Sequence, residues 1–373
     1  MKIVIAPDSF KDSLTAKQAA EIIFNAFAKV AKNNNYLIIP ISDGGEGLVS
    51  SLTNQLEKFR VIGPLGEAVT GEVGFKNNKK TAIIEMASAS GIEKVPHAKR
   101  DPHLTTTYGV GQLILKALDA NSKKIIIGMG GSATNDLGLG ALTALGVKFF
   151  NQAGKAVGVF GKDLLEVRHL DISSLDKRLA QREIIIACDV KNSLLGKAGA
   201  TFVYGPQKGL KTIAELNRFE DAFSRVSNLL ENVFSKEATK VAGTGAAGGL
   251  AYALFLASKG IIKQGFDVVD EELKLKEKLI NTDILITGEG RIDKQTFEGK
   301  APFSIGKAVL DVSPNVLIYS FAGSVEKDLT QTVFKEIIPL QNKNESLESS
   351  LRNAQQRLYE KALQLALKLF NRQ

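Results

Sequence analysis

Cysteine, tryptophan and histidine are scarce in these 373 residues: one cysteine, Cys188, no tryptophan and three histidines, His97, His103 and His169. A single cysteine excludes an internal disulfide framework and any cysteine-based zinc finger. The histidines lie far apart except in "PHAKRDPH" and read as surface residues rather than metal ligands, while Cys188 sits in a buried-strand pattern and reads as a core thiol. Long apolar runs are missing too. "GLAYALFLA" is among the longest, well short of the roughly 20 residues that cross a bilayer, and suits a buried helix. The opening "MKIVIAPDSF" has too short an apolar run before Asp8 for a signal peptide, so the expectation is a cytoplasmic chain with no membrane segment. Lys and Arg (48) outnumber Asp and Glu (40), giving +8 and a pI near 9.2. This excess is scattered, with no basic run interleaved with aromatics, and reads as a solvated surface rather than a nucleic-acid site. Repeats and low-complexity linkers are absent.

What is present is a rhythm of short β-branched runs: "KIVIAP", "YLIIPI", "KKIIIGM", "EIIIAC", "DILITG" and "NVLIYSFAG", with helical patterns between them. Uninterrupted runs of this kind suit a parallel sheet covered on both faces, so the class is α/β. Thr15 and Gln18 form a capping box for a first helix striped by Ile22, Ile23, Ala26, Phe27 and Val30. Residues 57–86 break the rhythm by alternating apolar and polar residues across "GPLGE" and "KNNKK", which predicts an antiparallel meander. The simplest account is a discontinuous first domain, 1–60 with 265–373, and a second α/β domain with a mixed sheet inserted as 61–264. From Glu345 onward Leu347, Leu351, Leu358, Ala362, Leu365 and Leu369 predict one long amphipathic helix packed on the first domain, a homodimer contact being the alternative.

In open α/β sheets, ligands bind beyond the carboxyl ends of the strands. Acidic residues recur there: Asp8, Asp43, Asn135 with Asp136, Asp189 and Glu289. One such residue can be a turn or cap. Five stations together point to divalent metal and proton chemistry. The glycine-rich turns "SDGGEG", "GMGGS", "GTGAAGG" and "TGEGRID" can bring backbone N–H groups to phosphate oxygens, and Lys11, Lys208, Arg291 and Lys300 stand in neighbouring loops. "GMGGSATND", just before a helix-like stretch, reads as an anion cradle on a helix start, or else as a turn capped by Ser132 or Thr134. This is an inventory for phosphoryl transfer, which needs Mg²⁺ on carboxylates, donors around the phosphates and a carboxylate for the acceptor's proton. No G-x-x-x-x-G-K-[ST] occurs, so any nucleotide is not held by a P-loop. "GTGAAG" formally fits a dinucleotide fingerprint but follows no convincing strand, and its small residues read as close packing. "GMGGSA" does follow a strand, but "KFF" stands where an acidic ribose-binding residue belongs.

Within this set, Asp189 directly after "EIIIAC" is the expected proton acceptor, with Lys11 and Arg291 as catalytic cations. Asp8, Ser9, Gly44, Gly45, Gly130, Gly131, Ser132, Asn135, Lys208, Gly245 and Lys300 are expected to bind substrate or nucleotide, and Asp43, Asp136 and Glu289 the metal, with Glu289 alternatively the base.

"APDSFKDSLTA", "SDGGEG", "GMGGSATND", "ACDVKNSLLG", "GPQKG", "GTGAAGGL" and "TGEGRIDKQTFEGKAP", in that order and nearly end to end, resemble bacterial glycerate kinases of the type I family. The resemblance implies a flavodoxin-like domain interrupted by a second α/β domain, and transfer of the ATP γ-phosphoryl group to glycerate with Mg²⁺, giving 2-phosphoglycerate. Family members usually read "DSFKGSL" and "DGGEGT"; this chain has Asp12 and Leu48 at the differing positions. A non-catalytic sensor of a small anion or nucleotide is the alternative, although five carboxylates without a metal would weaken an anion pocket.

Overall fold

The computed structural model describes residues 1–326, 329, 333–342 and 345–370. The chain forms two compact units: Met1–Asp43 with Ser50–Leu52 and Gly265–Gln373, and Gly44–Val49 with Thr53–Gln264.

The first unit is built on a five-stranded sheet in the order Glu336–Pro339, Leu317–Val325, Ile284–Ile292, Lys2–Ile5, Asn35–Ile38, every pair parallel. Counted in the unit's own chain order this is 2-1-3-4-5, the flavodoxin-like arrangement. Ile3, Val4 and Ile5 are all fully buried, so both faces of the strand are covered, which is why its sequence shows no alternation. The helix Ala16–Val30 has the capping box of Thr15 and Gln18, and buries Ile23, Ala26 and Phe27. Against it packs Ala354–Phe370, through Leu358, Ala362 and Leu365. The expected single C-terminal helix is two: Leu347–Arg352 ends before Asn353, whose side-chain amide donates to the Ser349 carbonyl at 3.0 Å, and Leu347 is 69% exposed. The apolar face from Leu358 onward is thus used inside this unit.

In the second unit a six-stranded sheet runs Ile261–Lys263, Glu183–Ala187, Lys124–Gly128, Thr81–Glu85, Ala68–Lys76, Gln55–Ile62. The first four strands are parallel and the last two antiparallel, the meander read from 57–86. The boundary expected at 60/61 shifts accordingly: residues 55–60 lie in a strand that pairs with Ala68–Lys76, and Gly44–Val49 also belong to this unit. Leu250–Ala257 is buried almost all round, as its unbroken apolar sequence requires, and its one polar tip, the Tyr252 hydroxyl, donates to the Ser227 carbonyl at 3.0 Å. Among the described residues no helix is long and apolar enough to cross a membrane.

Candidate active site

Carboxylates gather at the carboxyl end of the first unit's sheet. Asp8 follows Lys2–Ile5, and its amide continues the ladder by donating to the Gly288 carbonyl at 2.8 Å. The Asp8 side chain is buried and accepts from the Ser9 amide at 2.6 Å. Burial first, then the charges of Asp43 and Glu289, hold its carboxyl well above the usual range, while the Ser9 amide opposes the rise. Glu289 is not beyond its strand but inside Ile284–Ile292, opposite Ala322, so Glu289 and Arg291 point to the same face. Burial pushes the Glu289 carboxyl up to about 7, against the pull of Lys300 and a hydrogen bond of 2.8 Å from Thr296 Oγ1. Lys300 Nζ lies 3.4 Å from Glu289 Oε2 and donates to Asp293 Oδ1 at 3.2 Å. Asp293 is held below its usual value: burial acts upward but is outweighed by Lys300, the Thr296 amide and Arg291. Arg291 is 67% exposed, with Nε 3.5 Å from Asp293 Oδ2. Lys11 is exposed on a turn closed by pairing of Phe10 with Leu14, and the next residue, Asp12, takes φ +63°, a left-handed conformation that glycine adopts most readily.

The second unit holds a separate cluster around "GMGGSATND". Lys208, the last residue of Ala200–Lys208, is buried and donates from Nζ to Ser132 Oγ at 2.8 Å and to the Thr134 carbonyl at 2.7 Å. Burial pulls its amine down to about 7, and the Asp136 charge resists. Asn135 donates to Thr201 Oγ1 at 3.2 Å, yet its own Oδ1 and the Thr134 hydroxyl are buried with no hydrogen-bond partner among the described residues. Orphaned buried polar atoms cost about 1–3 kcal/mol each and in a native protein call for an explanation, such as a ligand or ordered water.

Asp136 is committed to donors of its own unit. It was expected to hold metal, but its carboxylate, with no solvent exposure, accepts from the Thr107 amide (2.9 Å), the Thr107 hydroxyl (2.7 Å), the Gly138 amide (3.1 Å) and the Gly140 amide (3.3 Å). Burial raises its carboxyl and these four donors counter the rise. Asp136 is therefore the tie that fixes the turn to the helix start. The anion cradle on a helix start changes with it, as does capping by Ser132 or Thr134. The helix begins only at Leu139, and its early amides are already taken by Asp136 and by Thr107 Oγ1. Among the described residues no three His, Cys, Asp or Glu side chains are grouped to hold a metal ion. The histidines and Cys188 join no such group, and burial pushes the Cys188 thiol up to about 12, as a core thiol should be.

Other expected residues take these places. A Cβ on Gly130 would stand 2.6 Å from Gly45 Cα, so the turns at 44–47 and 128–131 touch backbone to backbone, with Gly44 and Gly131 at φ +90° and +70°. Gly245 abuts the Ser193 carbonyl, and Gly248 abuts that of Thr134, so "GTGAAG" is indeed close packing. Asp189 is exposed just past Glu183–Ala187. Missed from sequence were Thr107, Thr201, Asp293 and Thr296; the run Thr105–Thr107, three buried threonines before a helix, was the one legible signal.

Acidic side chains with a lysine at the carboxyl end of a doubly wound sheet, together with a second α/β unit whose glycine turns hold a buried lysine, define a two-unit α/β enzyme of small polar substrates. The profile of the glycerate kinase family matches residues 3–370, and the chain belongs to that family. It is 43% identical over 327 residues to a glycerate kinase of Halalkalibacterium halodurans, covering 87% of this chain and 85% of that one. With the glycerate 2-kinase of Escherichia coli it shares 41% identity over 333 residues, 88% and 87% of the two chains. The crystal structure of a protein assigned as glycerate kinase 2 from Salmonella typhimurium LT2 superposes with a TM-score of 0.87 at 40% identity, covering 99% of this chain and 98% of that one.

Proposed function

We propose that this protein transfers the γ-phosphoryl group of ATP to a hydroxyl of glycerate, giving 2-phosphoglycerate, in the cytoplasm. The observation that carries the reading is the carboxylate set Asp8, Asp43 and Glu289, of which Asp8 and Glu289 are buried and Glu289 lies beside Lys300, in a chain of this family. Mg²⁺ is usually held by one or two carboxylates plus substrate phosphates rather than by an all-protein cage. Asp8 and Asp43 suit that limited role, because the repulsion already felt by Asp8 would be relieved by a cation. The ion, when bound, supplies charge neutralisation on the phosphates.

Asp189 is the group we assign to the acceptor's hydroxyl proton: it is exposed to a substrate yet follows a buried strand that fixes its start. Lys11 and Arg291, both exposed, would bind anionic groups; Lys300 reaches them only in competition with Glu289 and Asp293. Ser9, Ser132, Asn135 and Lys208, with the turns at Gly44, Gly45, Gly130, Gly131 and Gly245, complete the binding set. One observation favours Glu289 as the base instead: a carboxyl titrating near 7 is matched to proton transfer at neutral pH. The sensor alternative is not favoured, since the relatives are named as kinases.

A coupled assay of ADP release tests the proposal. Release should require ATP, Mg²⁺ and glycerate together; ADP formation that ignores glycerate would remove it.

A further inference from the structure

The second unit contains a cavity of about 720 Å³, lined by residues that no step above uses. Its size falls in the range of about 300–1,000 Å³ typical of small-molecule sites. Glycerate, with only a handful of heavy atoms, would leave most of it empty. One wall is apolar: Leu65, Leu104 and Phe160, with Leu104 left 47% exposed.

The remaining lining is cationic in effect. Lys99, Arg100, Lys162 and Lys211 face the cavity, and none is ion-paired among the described residues. The Nε of Arg100 is buried without a hydrogen-bond partner. Both acidic lining residues are committed elsewhere. Asp101 Oδ1 accepts from the His103 amide at 2.9 Å and meets His103 Nδ1 at 2.7 Å. Glu215 Oε2 accepts from the amides of Lys211 (3.0 Å) and Thr212 (2.9 Å). An apolar wall that includes one aromatic ring, Phe160, beside unspent positive charge is the chemistry that receives a base on one side and phosphates on the other.

The cavity also adjoins the second unit's glycine turn. Its rim includes Gly209, at φ +119°, where a Cβ would stand 2.1 Å from the Arg100 carbonyl; the residue before it is Lys208, bonded to Ser132 and Thr134. From the other side, Thr105 Oγ1, one residue beyond Leu104, donates to the Ala133 carbonyl at 3.3 Å. We propose that this cavity seats the nucleoside triphosphate donor, its base against Leu104 and Phe160 and its phosphates on Lys162, Lys211 and Arg100. The assignment rests on the phosphoryl-transfer reading above and names where its donor binds. It also accounts for "GPQKG", whose final glycine lets the rim close on Arg100.

The test uses the full chain with Mg²⁺ and the β,γ-imido analogue of ATP, without glycerate, in a calorimeter. Two variants probe the site: Lys162→Glu with Lys211→Glu, and Ala98→Trp, which fills the space from an exposed position on its rim. Lys155→Glu, an exposed charge outside the cavity, controls for net charge. Both cavity variants are expected to weaken the analogue about tenfold or more and to raise KM for ATP in parallel, with KM for glycerate changed by less than about twofold and the control unaltered. Retained binding in both variants, or no binding to the wild-type chain, would overturn the proposal. Binding that is lost in the variants while the wild type releases no glycerate-dependent ADP would keep the nucleotide seat and remove glycerate as acceptor.

Discussion

Glu289 carries a titration close to neutral pH in the first unit. Its folded pKa, about 7, lies above the ordinary 4.5, so the folded state holds the proton more tightly than the unfolded chain. Its stabilising contribution is therefore fully present below about pH 4.5 and is lost as pH rises through 7, to the extent of about 3 kcal/mol. Glu289→Gln should lose less melting temperature between pH 5 and pH 8 than the wild type; an equal loss in both would show that the carboxyl is already ionised at pH 5. The same residue separates the two bases. Asp189→Asn is expected to lower kcat by about 10² or more, with saturating Mg²⁺ giving no rescue. If that variant turns over normally, the role passes to Glu289. A carboxylate base works deprotonated, so kcat would then climb through pH 7, and Glu289→Gln would erase the climb.

Among the elements, the turn from Gly128 to Gly138 has a structure that runs against its first appearance. Its glycines let it lie on the 44–47 turn, and its acidic residue caps a helix from within. An amide in place of the Asp136 carboxylate keeps one acceptor and adds donors that face other donors. Asp136→Asn is thus expected to cost about 2 kcal/mol of stability in a denaturant titration, with the Mg²⁺ dependence of the surviving activity unchanged. A large shift in the Mg²⁺ requirement without loss of stability would restore Asp136 as a metal ligand.

Taken whole, the chain does not divide where its sequence rhythm changes. Gly44–Val49 belongs to the second unit, where the Val49 amide donates at 2.8 Å to the half-buried Glu85, a carboxyl raised by desolvation and eased by the Val49 and Gly47 amides. A fragment covering residues 53–264 lacks those donors and leaves the half-buried Glu85 carboxylate without them. It should melt lower than a fragment starting at residue 44, with the gap narrowing in acid as Glu85 takes up its proton. Equal melting at neutral pH would show that Gly44–Val49 adds nothing to this unit.

Local chemistry fixes what the sequence alone determined. Fully apolar β-branched runs suit only strands buried on both faces, the Thr15–Gln18 box starts a helix wherever it occurs, and alternation across 57–86 suits only strands with one covered face. Seven ordered motifs were likewise readable, because they are contiguous. The tertiary structure decided which partner each polar group met. Asp8 and Glu289, 281 positions apart, share a buried end of one sheet, Lys208 spends its amine on Ser132 and Thr134, and Asp136 faces Thr107 rather than solvent. Whether a carboxylate caps a helix, holds a cation or takes a proton depends on its burial and on the donors around it. Those are set by chain segments far apart in sequence, and no spacing along the chain encodes them.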